Sequence, residues 1–181
     1  MNKLRCVLGL TTILAIALPV LAQQKRVSPH ETISARISGK LVTITYGRPY
    51  SKDPKGGAIR EIWGKLVPWD AAWRMGSDEA TTLVTQSALA FGDTTIPAGA
   101  YTLYLVPSES GTTKLAFSSA IGGWGIPVDE KHDVARVDVK REPLDPQVDQ
   151  FTMGIERSGS GGVMKMMWEK TQFSVPFTLA K

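Results

Sequence analysis

Side chains suited to ligand binding or catalysis are concentrated in the stretch 71-AAWRMGSDEATTLV-84. Trp73 offers an aromatic face for an apolar sugar face, and Arg74 offers a planar fork of hydrogen-bond donors. Asp78 and Glu79 are candidate acid and base groups for a hydrolase. These four residues are therefore predicted ligand-binding residues, with Glu79 and Asp78 as the catalytic candidates.

The same stretch also fits a structural corner in which an arginine–carboxylate pair and a packed tryptophan lock the entrance to a strand. Paired catalytic carboxylates face each other about 5–10 Å apart across one bond. If a strand begins near Ala80, Asp78 and Glu79 are expected to point to opposite faces of it. Both interpretations, ligand site and structural corner, stay open.

Aromatic residues form a second group, because many of them fall in or beside loops. Trp124, within 122-GGWG-125, completes the predicted ligand-binding set. Exposed aromatic rings on a β-domain suit sugar-ring faces, whereas buried rings would close one end of a core. The rings in question are Tyr46, Tyr50, Trp63, Trp69, Trp73 and Trp124.

Asp129, Glu130, His132 and Asp133 have the side-chain types of metal ligands. Their spacing matches neither a zinc-protease helix nor a calcium-binding loop, and a solvated turn before a strand is the favoured explanation of them. The sequence also has no G-x-S-x-G motif and no phosphate-binding loop. We expect no metal and no cofactor.

The beginning of the chain has the layout of a secretory signal. Lys3 and Arg5 precede an apolar run that ends in small residues, and cleavage is expected after Ala22. The apolar run is short for a membrane span, so no span is expected once it is removed. The predicted divisions are a signal peptide at 1–22, a tether at 23–30 and a single β-sandwich domain at 31–181. The protein is expected to be exported, either periplasmic or secreted.

Composition excludes several classes of function. Cys6 is the one cysteine and lies within the predicted signal, so the processed chain has neither disulfides nor thiol chemistry. The formal net charge is +4, but two of the positive charges lie in that signal and no long basic run occurs. Nucleic acid is therefore not an expected partner.

Two-residue alternation of apolar and polar side chains dominates the rest of the chain, with turns rich in glycine and proline. A long aromatic-rich connection at 47–79 interrupts it, and Ile59, Ile62 and Leu66 there have helical spacing. We predict an all-β fold: an antiparallel β-sandwich, jelly-roll-like or a partly open barrel, of about nine strands with a short helical insertion near 59–66.

Four ordered motifs resemble those of the secreted bacterial family called domain of unknown function 2911. They are 68-PWDAAWRMGSDEATTL-83, 96-IPAGAYTLYLVP-107, 124-WGIPVDEKHDVARVDV-139 and 167-MWEKTQFSVPF-177. The resemblance covers roughly residues 28–178 and implies an exported, mainly β domain. The family tends to carry Asn where this chain has Asp78, and Tyr where it has Val128.

These observations support three hypotheses. The first is a non-catalytic binding module for a glycan or another cell-envelope component. The second is a hydrolase of envelope glycans or esters that uses Glu79 or Asp78 as acid/base, with Arg74 orienting the substrate. The third is a structural or partner-binding envelope domain. The sequence leaves the oligomeric state open.

Overall fold

The computed structural model describes residues 26–53 and 55–180. Within them the chain forms nine strands and one short 3-10 turn, Glu130–His132. The strands are β1 His30–Ile37, β2 Lys40–Gly47, β3 Thr81–Thr85, β4 Leu89–Phe91, β5 Thr94–Ile96, β6 Gly99–Val106, β7 Thr113–Ser118, β8 Asp133–Ser158 and β9 Gly161–Leu179. All paired strands are antiparallel, so the predicted all-β class with about nine strands is confirmed.

The predicted signal peptide, 1–22, lies outside the described residues, as do residues 23–25 of the predicted tether. Residues 26–29 precede β1, which begins at His30. No helix in the described part of the chain is long and apolar enough to cross a membrane.

The strands pair as one open sheet in the order β1-β2-β3-β6-β7-β8-β9-β4-β5. The sheet has two parts, one that ends at β7 and one that begins at β9, and β8 joins them. β8, with 26 residues, and β9, with 19, are the two longest strands. The first part of β8, Asp133–Val139, pairs with β7, and from Lys140 onward β8 pairs with β9. The pairing is therefore one continuous sheet and not two separate sheets.

The segment that follows β2 connects this side of the sheet to β8. The Ser51 amide donates to the Asp149 carbonyl at 2.6 Å, and the Phe151 amide donates to the Pro49 carbonyl at 2.9 Å. These hydrogen bonds hold the β2 end of the sheet against β8. The sheet thus encloses a single hydrophobic cluster to which both of its parts contribute.

Tyr46 links β2 to β8 through its side chain. Its hydroxyl donates to Glu31 at 2.7 Å and accepts from the Met153 amide at 2.9 Å. The side chain is 1% exposed. Burial raises the pKa of Tyr46 to about 12, and the Glu31 carboxylate acts in the same direction. The phenol is therefore a buried, doubly bonded connector between two parts of the sheet.

Alternation explains which side chains enter the core. On β2, Val42, Ile44 and Tyr46 share the buried face, as the two-residue period predicts. On β6, consecutive residues from Tyr101 to Leu105 are buried, because β6 lies between β3 and β7 and is covered on both faces. The sequence therefore identifies both one-sided and two-sided strands.

The short helical insertion predicted near 59–66 is wrong. This segment forms turns, with the Val67 amide donating to the Ile62 carbonyl at 2.8 Å. Gly64 adopts φ of +83°, which lies outside the helical region. Ile62 is fully buried whereas Leu66 is exposed, so the apolar residues do not share one face. Their helical spacing is coincidental.

Candidate functional site

Trp73 is a core residue that also borders the surface. Its amide donates to the Leu105 carbonyl at 2.7 Å, and the Leu105 amide donates back at 2.8 Å, which fixes Trp73 beside β6. Its ring stacks on Trp168, with centroids 5.8 Å apart, and meets Phe151 and Trp63 edge-on at 5.0 and 5.8 Å. The residue is 9% exposed. Its first role is therefore packing.

The turn that follows Trp73 is held tightly against the end of β2. A Cβ atom at Gly47 would overlap the Ser77 carbonyl, so the two backbones are in contact. The Thr81 hydroxyl donates to the Met75 carbonyl at 2.6 Å. Met75 and Asp78 adopt φ of 56° and 63°, in the left-handed region. This geometry sets the direction of every side chain from 74 to 79.

Asp78 and Glu79 both contact the segment before β1. The His30 Nε2 atom lies 3.2 Å from Asp78 Oδ2 and 3.5 Å from Glu79 Oε2, and Arg26 forms an ion pair with Glu79. The expectation that the two carboxylates diverge is therefore wrong. β3 begins only at Thr81, and the left-handed conformation of Asp78 turns both side chains toward the same imidazole.

Arg74 and Trp124 form a stacked pair. The Arg74 Cζ atom lies 5.1 Å from the centroid of the Trp124 ring, and Nη1 approaches the Trp124 carbonyl at 3.4 Å. Trp124 is 53% exposed. Burial lowers the pKa of Arg74, and the negative charge of Asp78 opposes that change.

Close packing fixes the loop that carries Trp124. The Ala80 amide donates to the Gly123 carbonyl at 3.3 Å. A Cβ atom at Gly125 would lie 3.0 Å from the Ala80 Cβ atom and 3.2 Å from that of Arg74. Gly125 also has φ of +83°. The absence of a side chain at this position lets the loop lie directly on Arg74.

A cleft of about 350 Å³ opens beside this pair. Its lining includes Trp73 and Trp168, whose rings stack on each other, and the two arginines Arg60 and Arg74. The main lining residues are Arg60, Leu66, Trp73, Arg74, Ile126 and Trp168. Apolar walls with a few polar donors are typical of small-ligand sites.

The structure separates the predicted site residues into two groups. Trp73 and Arg74 line the cleft, and Trp124 supports Arg74 from the adjoining loop. Asp78 and Glu79 contact Arg26 and His30 instead.

Sequence reasoning missed four of the main lining residues: Arg60, Leu66, Ile126 and Trp168. Only Trp168 carried a local signal, because its alternation with Met164 and Met166 predicts burial.

The six aromatic residues considered from the sequence also divide between core and surface. Tyr46 and Trp73 are buried, and Trp63 packs partly buried against the core. Trp69 is partly buried and stacks on Trp63 at 6.0 Å, whereas Tyr50 and Trp124 are exposed. The core interpretation therefore holds for the buried rings, and ligand binding by the exposed rings stays a prediction.

A smaller cavity of about 230 Å³ lies on the other side of the Trp124 loop, with Tyr104, Val128 and His132 among its lining residues. Of its polar residues, Tyr104 donates its hydroxyl to Asp133, which Arg136 contacts at 2.7 Å. Burial raises the pKa of Tyr104, and the Asp133 carboxylate raises it further.

The four candidate metal ligands do not converge on one point. Glu130 pairs with Arg136 at 2.9 Å, and His132 Nδ1 lies 3.4 Å from Asp129 Oδ2, while Asp133 is held as described above. Across residues 26–53 and 55–180 no group of three or more histidine, cysteine or acidic side chains is arranged to hold a metal ion. These residues form ion pairs around the start of β8.

Fold and site together define an all-β protein whose loops surround a cleft lined by tryptophan and arginine. The chain belongs to the family described as "Protein of unknown function (DUF2911)", which matches residues 28–177. The family resemblance predicted from the four motifs is thus confirmed, and the whole lining of the cleft falls within the matched range. Neither the curated proteins nor the solved structures yielded a significant match.

Proposed function

We propose that this protein is an exported, non-catalytic binding module that takes a glycan or another cell-envelope component in the cleft beside Trp73 and Arg74. The signal-like residues 1–22 favour export and therefore a ligand of the envelope. The cleft volume lies near the lower end of the range of about 300–1,000 Å³ for small-ligand sites. A single unit of a longer glycan is a suitable occupant.

The observation that carries this proposal is that tryptophan, aliphatic and arginine residues line one cleft. Aromatic and aliphatic walls suit the apolar face of a sugar ring, and guanidinium groups suit its oxygens. The neighbouring loop adds exposed apolar side chains at Trp124 and Ile126. Exposed apolar surface concentrated on one loop is a feature of binding sites.

A binding role is favoured over hydrolysis because neither catalytic candidate lines the cleft. Asp78 and Glu79 contact His30, and Glu79 also pairs with Arg26. A general acid or base must instead be within reach of the substrate proton that it transfers. The two carboxylates therefore stabilise the turn that presents Arg74.

Calorimetric titration against neutral and acidic oligosaccharides and soluble peptidoglycan fragments tests this proposal. Ala72 lines the cleft, so Ala72→Trp should fill it and weaken binding about tenfold or more, a change of at least about 1.4 kcal/mol. Ala71→Trp is the matched control, because the neighbouring Ala71 is exposed and does not line the cleft.

Trp124→Ala provides a second test. It removes the ring on which the Arg74 guanidinium stacks, so affinity should fall while the fold is retained. Ile121→Ala, which shortens another exposed apolar side chain of the same loop, should bind as the wild type does. The proposal fails if no member of the panel binds, or if a ligand binds equally well to Ala72→Trp and to the wild type.

A further inference from the structure

Arg60 and Arg74 differ from Arg48 and Arg136 in the way their charge is accommodated. Arg48 lies 3.3 Å from the Glu31 carboxylate, and Arg136 lies 2.7 Å from that of Asp133. In the described part of the chain, no carboxylate lies within 4.0 Å of the Arg60 or Arg74 guanidinium. The fold thus pairs Arg48 and Arg136 directly with carboxylates and leaves Arg60 and Arg74, which line one cleft, without such a contact.

The Arg60 guanidinium is oriented by main-chain carbonyl groups. It donates through Nη2 to the Tyr50 carbonyl and through Nε to the Ser51 carbonyl at 3.4 Å. Ser51 is in turn held by Asp149 of β8, through both its amide and its hydroxyl. These contacts fix the guanidinium without cancelling its charge, and N–H groups remain for a ligand.

The Arg74 guanidinium is oriented by an aromatic face. It stacks on Trp124 and approaches the carbonyl of the same residue at 3.4 Å. Burial disfavours its charged form and lowers its pKa, while Asp78, the acidic group that opposes this, is itself bound to His30 at 3.2 Å. A desolvated cation in this situation gains from an anion placed beside it.

We propose that Arg60 and Arg74 together bind an oxyanion carried by the ligand of this cleft, a carboxylate or a phosphate on a sugar. This inference rests on the proposed function, because it names the chemistry of a ligand in the same site. Planar guanidinium groups bind carboxylate and phosphate oxygens in bidentate fashion, and two of them define the position of one anionic group. The sugar ring then lies along the apolar wall formed by Leu66 and Ile126.

Trigalacturonic acid and its fully methyl-esterified form are the decisive probes, because the ester keeps the rings and removes the charge. We expect calorimetry of the processed chain to give an affinity about tenfold or more higher for the acid. The difference should shrink at high ionic strength, because salt screens the interaction. Glucose 1-phosphate tests the phosphate form of the same chemistry.

The variants Arg60→Gln and Arg74→Gln should each reduce binding of the acid toward that of the ester. Arg74→Lys keeps the charge without the planar fork and should fall between Arg74→Gln and the wild type. Arg141→Gln is the control, since Arg141 stacks on Trp69 at the same 5.1 Å but lies outside the cleft. It should bind as the wild type does.

The possible results separate this inference from the proposed function. If acid and ester bind equally and glucose 1-phosphate does not bind, the oxyanion inference is wrong while a glycan site stands. Loss of discrimination in Arg141→Gln would also overturn the inference. If none of these probes binds and no oligosaccharide of the panel binds either, both proposals fail.

Discussion

Replacing Trp73 by alanine should destabilise the protein far more than the same change at Trp124. Trp73 is 9% exposed and contacts the rings of Trp63, Phe151 and Trp168. Truncation of a buried tryptophan to alanine costs about 3–5 kcal/mol. Domains of ordinary stability unfold at a cost of about 5–15 kcal/mol, so a large share of the total is at risk.

Trp124→Ala removes an exposed ring and one cation–π contact with Arg74. Such a contact contributes about 0.5–1 kcal/mol at an exposed site. The two variants therefore delete the same side chain in opposite environments. The expected difference between them is at least about 2 kcal/mol, which is well outside the error of a denaturation experiment.

The measurement is urea denaturation of the wild type and both variants, followed by far-ultraviolet circular dichroism so that loss of a fluorescent ring does not bias the signal. For a chain of this length each kcal/mol shifts the melting temperature by about 2–4 °C, which gives an independent thermal check. Trp73→Phe, which keeps an aromatic ring, should recover part of the loss. Equal costs for Trp73→Ala and Trp124→Ala would refute the assignment of Trp73 to the core.

Three other perturbations test separate parts of the structure. Because folding raises the pKa of Tyr46 from 10.0 to about 12, the folded state holds the phenolic proton more tightly. That contribution to stability is up to about 3 kcal/mol; it is complete below about pH 10 and is lost as the pH rises to about 12. Between these pH values the free energy of unfolding should therefore fall less steeply for Tyr46→Phe than for the control Tyr50→Phe. Gly125→Ala should destabilise the protein more than Gly122→Ala, because both positions have positive φ but only Gly125 lacks room for a Cβ atom. Equal melting temperatures of the two variants would contradict this packing argument. Glu79→Gln should lower the free energy of unfolding by less than about 1 kcal/mol, because the pair of Glu79 with Arg26 is exposed, and it should leave ligand binding intact. Loss of turnover on an envelope substrate in this variant would instead favour the hydrolase hypothesis.

The strands were predictable because burial repeats with the same period as the pleat. Val42, Ile44 and Tyr46 alternate in the sequence and face the core in the structure. The consecutive apolar residues of β6 likewise predict a strand covered on both faces. In both strands the order of apolar and polar residues alone indicates which faces are buried, and no long-range information is needed.

The cleft was only partly predictable, because long-range contacts set the path of the chain through 48–80. Arg60 reaches the cleft since Ser51 is bonded to Asp149, a residue far away in the sequence. The helical spacing of Ile59, Ile62 and Leu66 was misleading for a related reason. Ile62 is buried by tertiary packing, while the other two face solvent.

The convergence of Asp78 and Glu79 depends on one backbone torsion. Neighbouring side chains diverge on an extended strand, but φ of 63° at Asp78 departs from that geometry. Aspartate is among the residue types enriched in this region, but that enrichment does not fix the torsion at one position. The sequence therefore did not give the direction of the two carboxylates, and their ligand-binding role stays a prediction.

The length of β8 has a consequence for folding cooperativity. One strand pairs first with β7 and then, across two register shifts between Pro143 and Thr152, with β9, so the two parts of the sheet share one backbone. Opening of one part disturbs the strand that it shares with the other part, so neither part is expected to open independently. Hydrogen exchange should accordingly show amides near Val137 and Met153 opening in a single event, with the same protection free energy.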